Sequence, residues 1–107
     1  MKALLLDQSF AAGVGNWIAD EALYQARIAP RRPARSLTDA ELDRLRTRLH
    51  AIVRTAVRAG ADGARFPRSW LFHRRWDRGP GITRRGDPIR RETIAGRTAA
   101  WVPRLQR

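Results

Sequence analysis

Two short stretches of this sequence carry residue types suited to holding an anion. The first is Gly13-Val14-Gly15-Asn16, followed by Trp17-Ile18-Ala19-Asp20-Glu21. Glycine lets a backbone come close to a ligand, and the unpaired amides that open a helix favour negative charge, so a phosphate fits at Gly15 and Asn16. Taken alone, these residues suit equally an asparagine that only caps its own helix, which is the commoner outcome. The second stretch is Ala95-Gly96-Arg97, between the β-prone runs Thr93-Ile94 and Thr98 to Val102. It implies a hairpin whose tip, Gly96 and Arg97, carries a cation beyond the sheet edge.

Other candidates are weaker. Asp20 and Glu21 are neighbours on a helix and point about 100° apart, so they do not face one substrate as an acid/base pair. They fit packing instead. Lys2 is the only side-chain amine, and an amine can form a Schiff base at an abasic sugar, slowly where no pocket lowers its pKa. Arg74, Arg75 and Arg78 suit either a phosphate stripe or a solvated charge run. Trp17, Trp70, Trp76 and Trp101 could stack on bases; in so small a chain they fit a core better, with Trp17 against the long helix and Trp101 closing onto Trp70 and Phe72.

The elements that must position these groups follow from periodicity. Apolar residues Ala3 to Leu6 suggest a short helix, Ser9 to Gly15 a glycine-bearing turn, and Trp17, Ile18, Ala22, Leu23 and Ala26 a second helix starting near Asn16. Pro30 and Pro33 stop it, with Arg31, Arg32 and Arg35 in the connector. A long helix follows over Thr38 to Ala59, with Thr38 and Glu41 as a capping box, Leu37 and Leu42 as its hydrophobic staple, and Gly60 as the C′ stop. Leu42, Leu45, Leu49, Ile52, Val53, Ala56 and Val57 form its apolar stripe, and Arg44, Arg48, Arg54 and Arg58 lie largely off it. Beyond Gly60 the chain turns to short aromatic and Gly-Pro segments, where helix is not expected. The fold class is therefore mainly α with a small C-terminal β-hairpin. Residues 1–60 read as a helical domain, 61–81 as a connector and 82–107 as a finger, in one compact unit.

Composition narrows the partner. The chain has 107 residues, no cysteine, and 22 Lys+Arg against 10 Asp+Glu, a formal net charge of +12. All but one of the basic residues are arginine, whose planar fork suits phosphate, so a polyanion and above all nucleic acid is the expected partner. A composition bias that merely puts arginine on solvated faces is the alternative. Lack of cysteine excludes disulfides, a thiolate nucleophile and cysteine zinc sites. No stretch approaches the roughly 20 apolar residues of a membrane span, and Met1 to Leu6 is too short for a secretory signal, so no membrane partner and a soluble, intracellular protein are expected.

Residues Lys2 to Pro30, KALLLDQSFAAGVGNWIADEALYQARIAP, resemble the helix-two-turn-helix segment of the formamidopyrimidine-DNA glycosylase / endonuclease VIII family of base-excision-repair enzymes. The long helix and a finger ending in AGRTAAWVPRLQ follow in the family's order. The resemblance implies DNA binding through Lys2, Gly15 and Asn16, which match positions on the phosphates beside the flipped nucleotide. It implies the same for Arg97, which matches the finger arginine on the DNA backbone. In most members the finger holds zinc; the matching positions here are Ile82, Arg85, Val102 and Leu105, and His50 and His73 are too few to replace four ligands. The segment resembles the zincless subgroup, so no zinc and no other cofactor is expected.

Only the C-terminal half of the family is matched. Its catalytic N-terminal proline and adjacent glutamate have no counterpart among these residues, so the expected function is a damaged-DNA-binding module of a DNA glycosylase/AP lyase, without catalytic residues and inactive alone. The expected partners are duplex DNA, damaged or abasic, and the missing N-terminal lobe. The expected location is the cytoplasm, with the nucleoid, or the nucleus. The alternative is a small basic RNA-binding or ribosome-associated protein.

Overall fold

The computed structural model describes residues 15–60, 62–75, 81–94 and 96–107. Two helices are packed beside a three-stranded antiparallel sheet. The expected short helix over Ala3 to Leu6 lies outside the described residues. Helix α1 spans Gly15–Ala26 and α2 spans Asp39–Arg58. Strands β1, Gly81–Ile82, β2, Pro88–Ile94, and β3, Arg97–Trp101, follow in that spatial order.

Helix α1 is apolar on most sides because it is the hub of the packing. Ile18, Ala19, Ala22, Leu23 and Ala26 join Ile28 and, from α2, Leu45 and Ile52 in one buried cluster. The small alanines let the helices approach closely. At its end the amide of Arg27 donates to the carbonyl of Tyr24 (3.2 Å) and that of Ile28 to Leu23 (3.0 Å). This is a Schellman motif, with Ile28 packed back into the cluster of Leu23. Its left-handed C′ position holds Arg27, at φ 64°, rather than glycine. The chain then turns at Pro30 and Arg31, where the Arg32 amide donates to the Ala29 carbonyl (3.1 Å).

Helix α2 begins as its sequence demands. Thr38 accepts from the Glu41 amide (3.1 Å) while the Thr38 amide donates to the Glu41 carboxylate (2.9 Å). At the other end Gly60 takes φ 63° directly after the Ala59 cap. The apolar stripe is only partly used: Leu45 and Ile52 are buried, whereas Leu42, Val53 and Val57 are 38%, 41% and 75% exposed. Among the described residues its helical partner is α1, about 18 Å long against about 30 Å for α2, so the stripe outruns the surface that covers it. Arg44 also departs from expectation, for its Nε donates to the Ala26 carbonyl at the end of α1 (2.7 Å).

In the finger, Ile94 pairs with Arg97 as the last rung of the β2–β3 hairpin, and Gly96 turns at φ 76°. Strand β1 adds a third, short partner that periodicity had not shown, with Gly81 opposite Ile89. One face of the sheet packs on α1 through Ile89, Ala100 and Val102, which cluster with Tyr24 and Leu71. Short 3-10 turns at Ala34–Ser36, Gly63–Arg65 and Leu71–His73 fill the connectors.

Candidate nucleic-acid interface

Adjacent carboxylates on α1 organise everything around the candidate site. Asp20, turned toward the finger, takes the guanidinium of Arg75 at 2.5 Å and the amide of Ala100 at 3.2 Å. Glu21, turned about 100° away, accepts from the amides of Leu71 (3.1 Å) and Phe72 (2.7 Å), so it caps the turn Leu71–His73. Gln25 donates to it as well (3.0 Å). Burial pushes the Glu21 carboxyl up to about 7, against the pull of those donors. Both acids are thus committed to packing, as their spacing implied. Neither faces an open pocket.

The same ties set the direction of α1 along the finger. Asp20 meets Ala100, and one turn later Tyr24 packs with Ile89 and Val102. Further on, Tyr24, Gln25 and Arg27 share a cleft with Arg84 and Arg85 of the β1–β2 turn. Helix α1 therefore runs from the hairpin tip toward its base. Asn16, about 6 Å before Asp20 along the helix, and Arg97, about 10 Å before Ala100 along β3, lie toward the same end of the molecule.

Gly15 is the first described residue of α1, and Asn16 sits in its first turn. Its Oδ1 is enclosed and has no hydrogen-bond partner among the described residues. Arg97 is exposed, and no ion pair among the described residues engages it. Lys2 lies outside the described residues.

Several expectations about neighbouring residues are corrected. Arg75 is not part of a phosphate stripe: its side chain is 5% exposed, locked to Asp20. Arg74 is exposed, its carbonyl accepting from Arg91 (3.0 Å), and Arg78 lies outside the described residues. Trp17 packs in an aromatic box with Phe66 (5.3 Å between ring centroids), Phe72 (5.0 Å) and Trp70 (6.4 Å), and also touches the α1–α2 cluster. Trp101 does not close onto that box. It faces Arg90, its cross-strand neighbour, whose guanidinium lies 6.0 Å from the ring, because that position of β3 turns it away from α1. Trp76 lies outside the described residues.

The base of the finger holds no metal-binding group among the described residues. Of the four positions matching zinc ligands, Val102 is fully buried and Leu105 packs on its cluster, whereas Ile82 and Arg85 are exposed. Polar bridges close this region. The Gln106 side chain accepts from the Val102 amide (2.7 Å) and donates to the Ile28 carbonyl (2.9 Å). Arg107 exchanges backbone bonds with Arg27 and Ala29, and Arg32 joins the Arg107 carbonyl to Glu41. The Arg32 hydrogen bonds, above all other causes, hold the Glu41 carboxyl down at about 2. Among the described residues no helix is long and apolar enough to cross a membrane. Sequence reasoning missed Arg32, Arg44 and Arg75 as structural cations, since nothing in a run of arginines tells which one will face a buried acceptor.

Comparison with known proteins gives these features a context. A family profile described as "Formamidopyrimidine-DNA glycosylase H2TH domain" matches residues 1–68. A formamidopyrimidine-DNA glycosylase of Arabidopsis thaliana is 44% identical over 107 residues, covering 100% of this chain and 27% of the relative. The crystal structure of the MutM (Fpg) protein from Thermus thermophilus superposes with a TM-score of 0.76 at 40% identity, covering 98% of this chain and 44% of that one. Lactococcus lactis Fpg in complex with DNA containing an abasic site gives 0.79 at 26% identity, over 99% and 42% of the two chains. This chain thus spans between about a quarter and a half of the length of these relatives.

Proposed function

Because the chain belongs to the formamidopyrimidine-DNA glycosylase family, we propose that it is a DNA-gripping part of a base-excision-repair glycosylase, holding damaged or abasic duplex by its sugar-phosphate backbone. The observation that carries this reading is the shared end of α1 and the hairpin, where one scaffold carries both Asn16 and Arg97. Gly15 allows the strand close approach, Asn16 donates to a phosphate, and Arg97 provides the guanidinium on the same strand. Lys2 is proposed as a further phosphate contact on the family resemblance alone.

Excision itself is not assigned to these residues. Asp20 and Glu21 are consumed by Arg75 and backbone amides, so base removal belongs to a lobe supplied beside this one. The finger works without zinc, with Val102, Leu105 and Gln106 closing its base. Binding to DNA puts the protein with the nucleoid or in the nucleus. The RNA-binding alternative draws no support from the relatives, which are DNA glycosylases by name.

Fluorescence anisotropy with an abasic-analogue duplex, intact duplex and structured RNA tests this reading. With about five phosphates neutralised, log K falls against log salt with a slope near about −4.5. Asn16→Ala/Arg97→Ala is expected to weaken abasic-duplex binding by about tenfold or more while leaving the circular dichroism unchanged. Equal affinity of the folded double variant would overturn the assignment.

A further inference from the structure

At the other end of the molecule lies a second basic site with a different character. A cleft of about 330 Å³ has Tyr24, Arg27, Arg48, Trp70, Arg84 and Arg85 among its lining residues. Its four arginines come from three separate places: the residue after α1, the middle of α2 and the β1–β2 turn. No carboxylate lines it, and among the described residues no salt bridge reaches Arg27, Arg48, Arg84 or Arg85. Some arginines elsewhere do find acids, as Arg32 finds Glu41, Arg75 finds Asp20 and Arg104 finds Asp87; what sets this cleft apart is that four arginines line one concavity. Like charges gathered in one concavity repel, and an anion relieves that repulsion.

Arg27 adds an independent sign. It occupies the left-handed C′ position of the Schellman motif, where glycine avoids a steric penalty that an arginine pays. Its guanidinium lies over the Tyr24 ring, 5.1 Å from the centroid, along one wall of the cleft. A strained backbone retained under a side chain that lines a charged pocket points to use of that side chain. Half-buried Trp70 lends the cleft an aromatic wall beside the cations, with the Tyr24 ring beneath Arg27, and Arg84 borders Arg68, His73 and Arg74, which extends the positive field around the mouth.

We propose that this cleft is a binding site for a compact diphosphate, separate from the Asn16–Arg97 face. The concavity and its four arginines from three elements suit one small, multiply charged phosphoryl group better than the evenly spaced single charges of a duplex. The diphosphate could be free pyrophosphate or the diphosphate of a nucleotide; the aromatic wall adds stacking only for the second. Position separates the two sites: α1 carries Arg27 about 16 Å beyond Asn16, and β2 spans roughly 20 Å between the turn holding Arg84 and Arg85 and the tip holding Arg97.

Isothermal titration of the full 107-residue chain at low salt with inorganic pyrophosphate, and in a parallel arm with a nucleoside diphosphate, tests the site. Pyrophosphate is expected to bind below millimolar and to raise Tm. Arg48→Ala/Arg84→Ala/Arg85→Ala should weaken it at least about tenfold, and Asn16→Ala/Arg97→Ala should leave it unchanged. Arg27→Gly should raise Tm of the free protein by a few degrees while weakening pyrophosphate, opposite signs that a purely structural arginine would not give. Tighter binding of the nucleoside diphosphate would assign the aromatic wall to a base; equal binding would assign the site to the diphosphate alone. Binding no better than that of sulfate, an unchanged affinity in the folded triple variant, or equal loss in the Asn16/Arg97 variant would overturn the proposal. The last outcome would merge the cleft with the DNA face, whereas failure of DNA binding alone would leave the cleft standing.

Discussion

The two helices and the finger are held by different physics. Where α1 meets α2 the contact is mainly an apolar layer of Ile18, Ala22, Leu23, Leu45 and Ile52, with one hydrogen bond, from Arg44 to the Ala26 carbonyl, at its edge. Where α1 meets the finger, an apolar cluster around Tyr24 and Val102 is framed by polar ties: the buried ones from Asp20 to Arg75 and the Ala100 amide and from Gln106 to the Ile28 carbonyl, and more exposed backbone bonds from Arg107 to Arg27 and Ala29. Apolar burial is strong but non-directional, and it tolerates small slides. A buried charge pair is indifferent as a source of stability yet severe when broken, so it fixes one register. The face that carries Asn16 and Arg97 spans this junction, and its geometry therefore depends on the polar ties more than on the core.

Substitution can break that contrast directly. Asp20→Ala leaves the Arg75 guanidinium buried without its carboxylate and is expected to cost about 3–5 kcal/mol in urea unfolding. Replacing both partners, Asp20→Leu/Arg75→Met, should recover most of that stability yet not the abasic-duplex affinity, which separates stability from register. Ile52→Ala removes a fully buried side chain from the helical layer and should cost about 2–4 kcal/mol. Its effect on DNA affinity should vanish once the variant is measured fully folded.

Glu21 sharpens the contrast through pH. Its folded-state pKa of about 7 exceeds the ordinary value of 4.5, so the folded protein keeps a proton that the unfolded chain releases. The resulting contribution is complete below pH 4.5 and is lost as pH rises to about 7, a decline of up to about 3 kcal/mol. Glu41, held low by Arg32, acts in the opposite sense and only below pH 4.5. Chemical denaturation between pH 4.5 and 7 should therefore show stability falling with pH, and Glu21→Gln should flatten that profile. The smallest effect is expected from Gln106→Ala, about 1–2 kcal/mol, with hydrogen exchange accelerated at Val102 before the α2 amides are affected.

Legibility in the sequence followed the range of the interaction. The capping box of Thr38 and Glu41, the stop at Gly60 and the turn at Gly96 depend on residues within a few positions of one another, and each formed as read. The end of α1 was read only roughly, because Arg27 rather than glycine holds the left-handed position and Arg107, at the far end of the sequence, closes it. The exposed part of the α2 stripe misled for the same reason: period 3.6 identifies an apolar face but not the length of the element that covers it. Strand β1, two residues long, is below the length at which alternation can register.

Among arginines the limit is sharpest. The net charge of +12 made a polyanion the expected partner, and the glycine-flanked motifs at Gly15-Asn16 and Gly96-Arg97 singled out candidate anion positions, since composition and local backbone freedom are properties of the chain itself. Which guanidinium groups face solvent was settled only in three dimensions. Arg32, Arg44 and Arg75 are spent on Glu41, a helix-end carbonyl and Asp20, while Arg27, Arg48, Arg84 and Arg85 line one cleft. A cation's role is set by the nearest acceptor in space, and sequence separation carries almost none of that information.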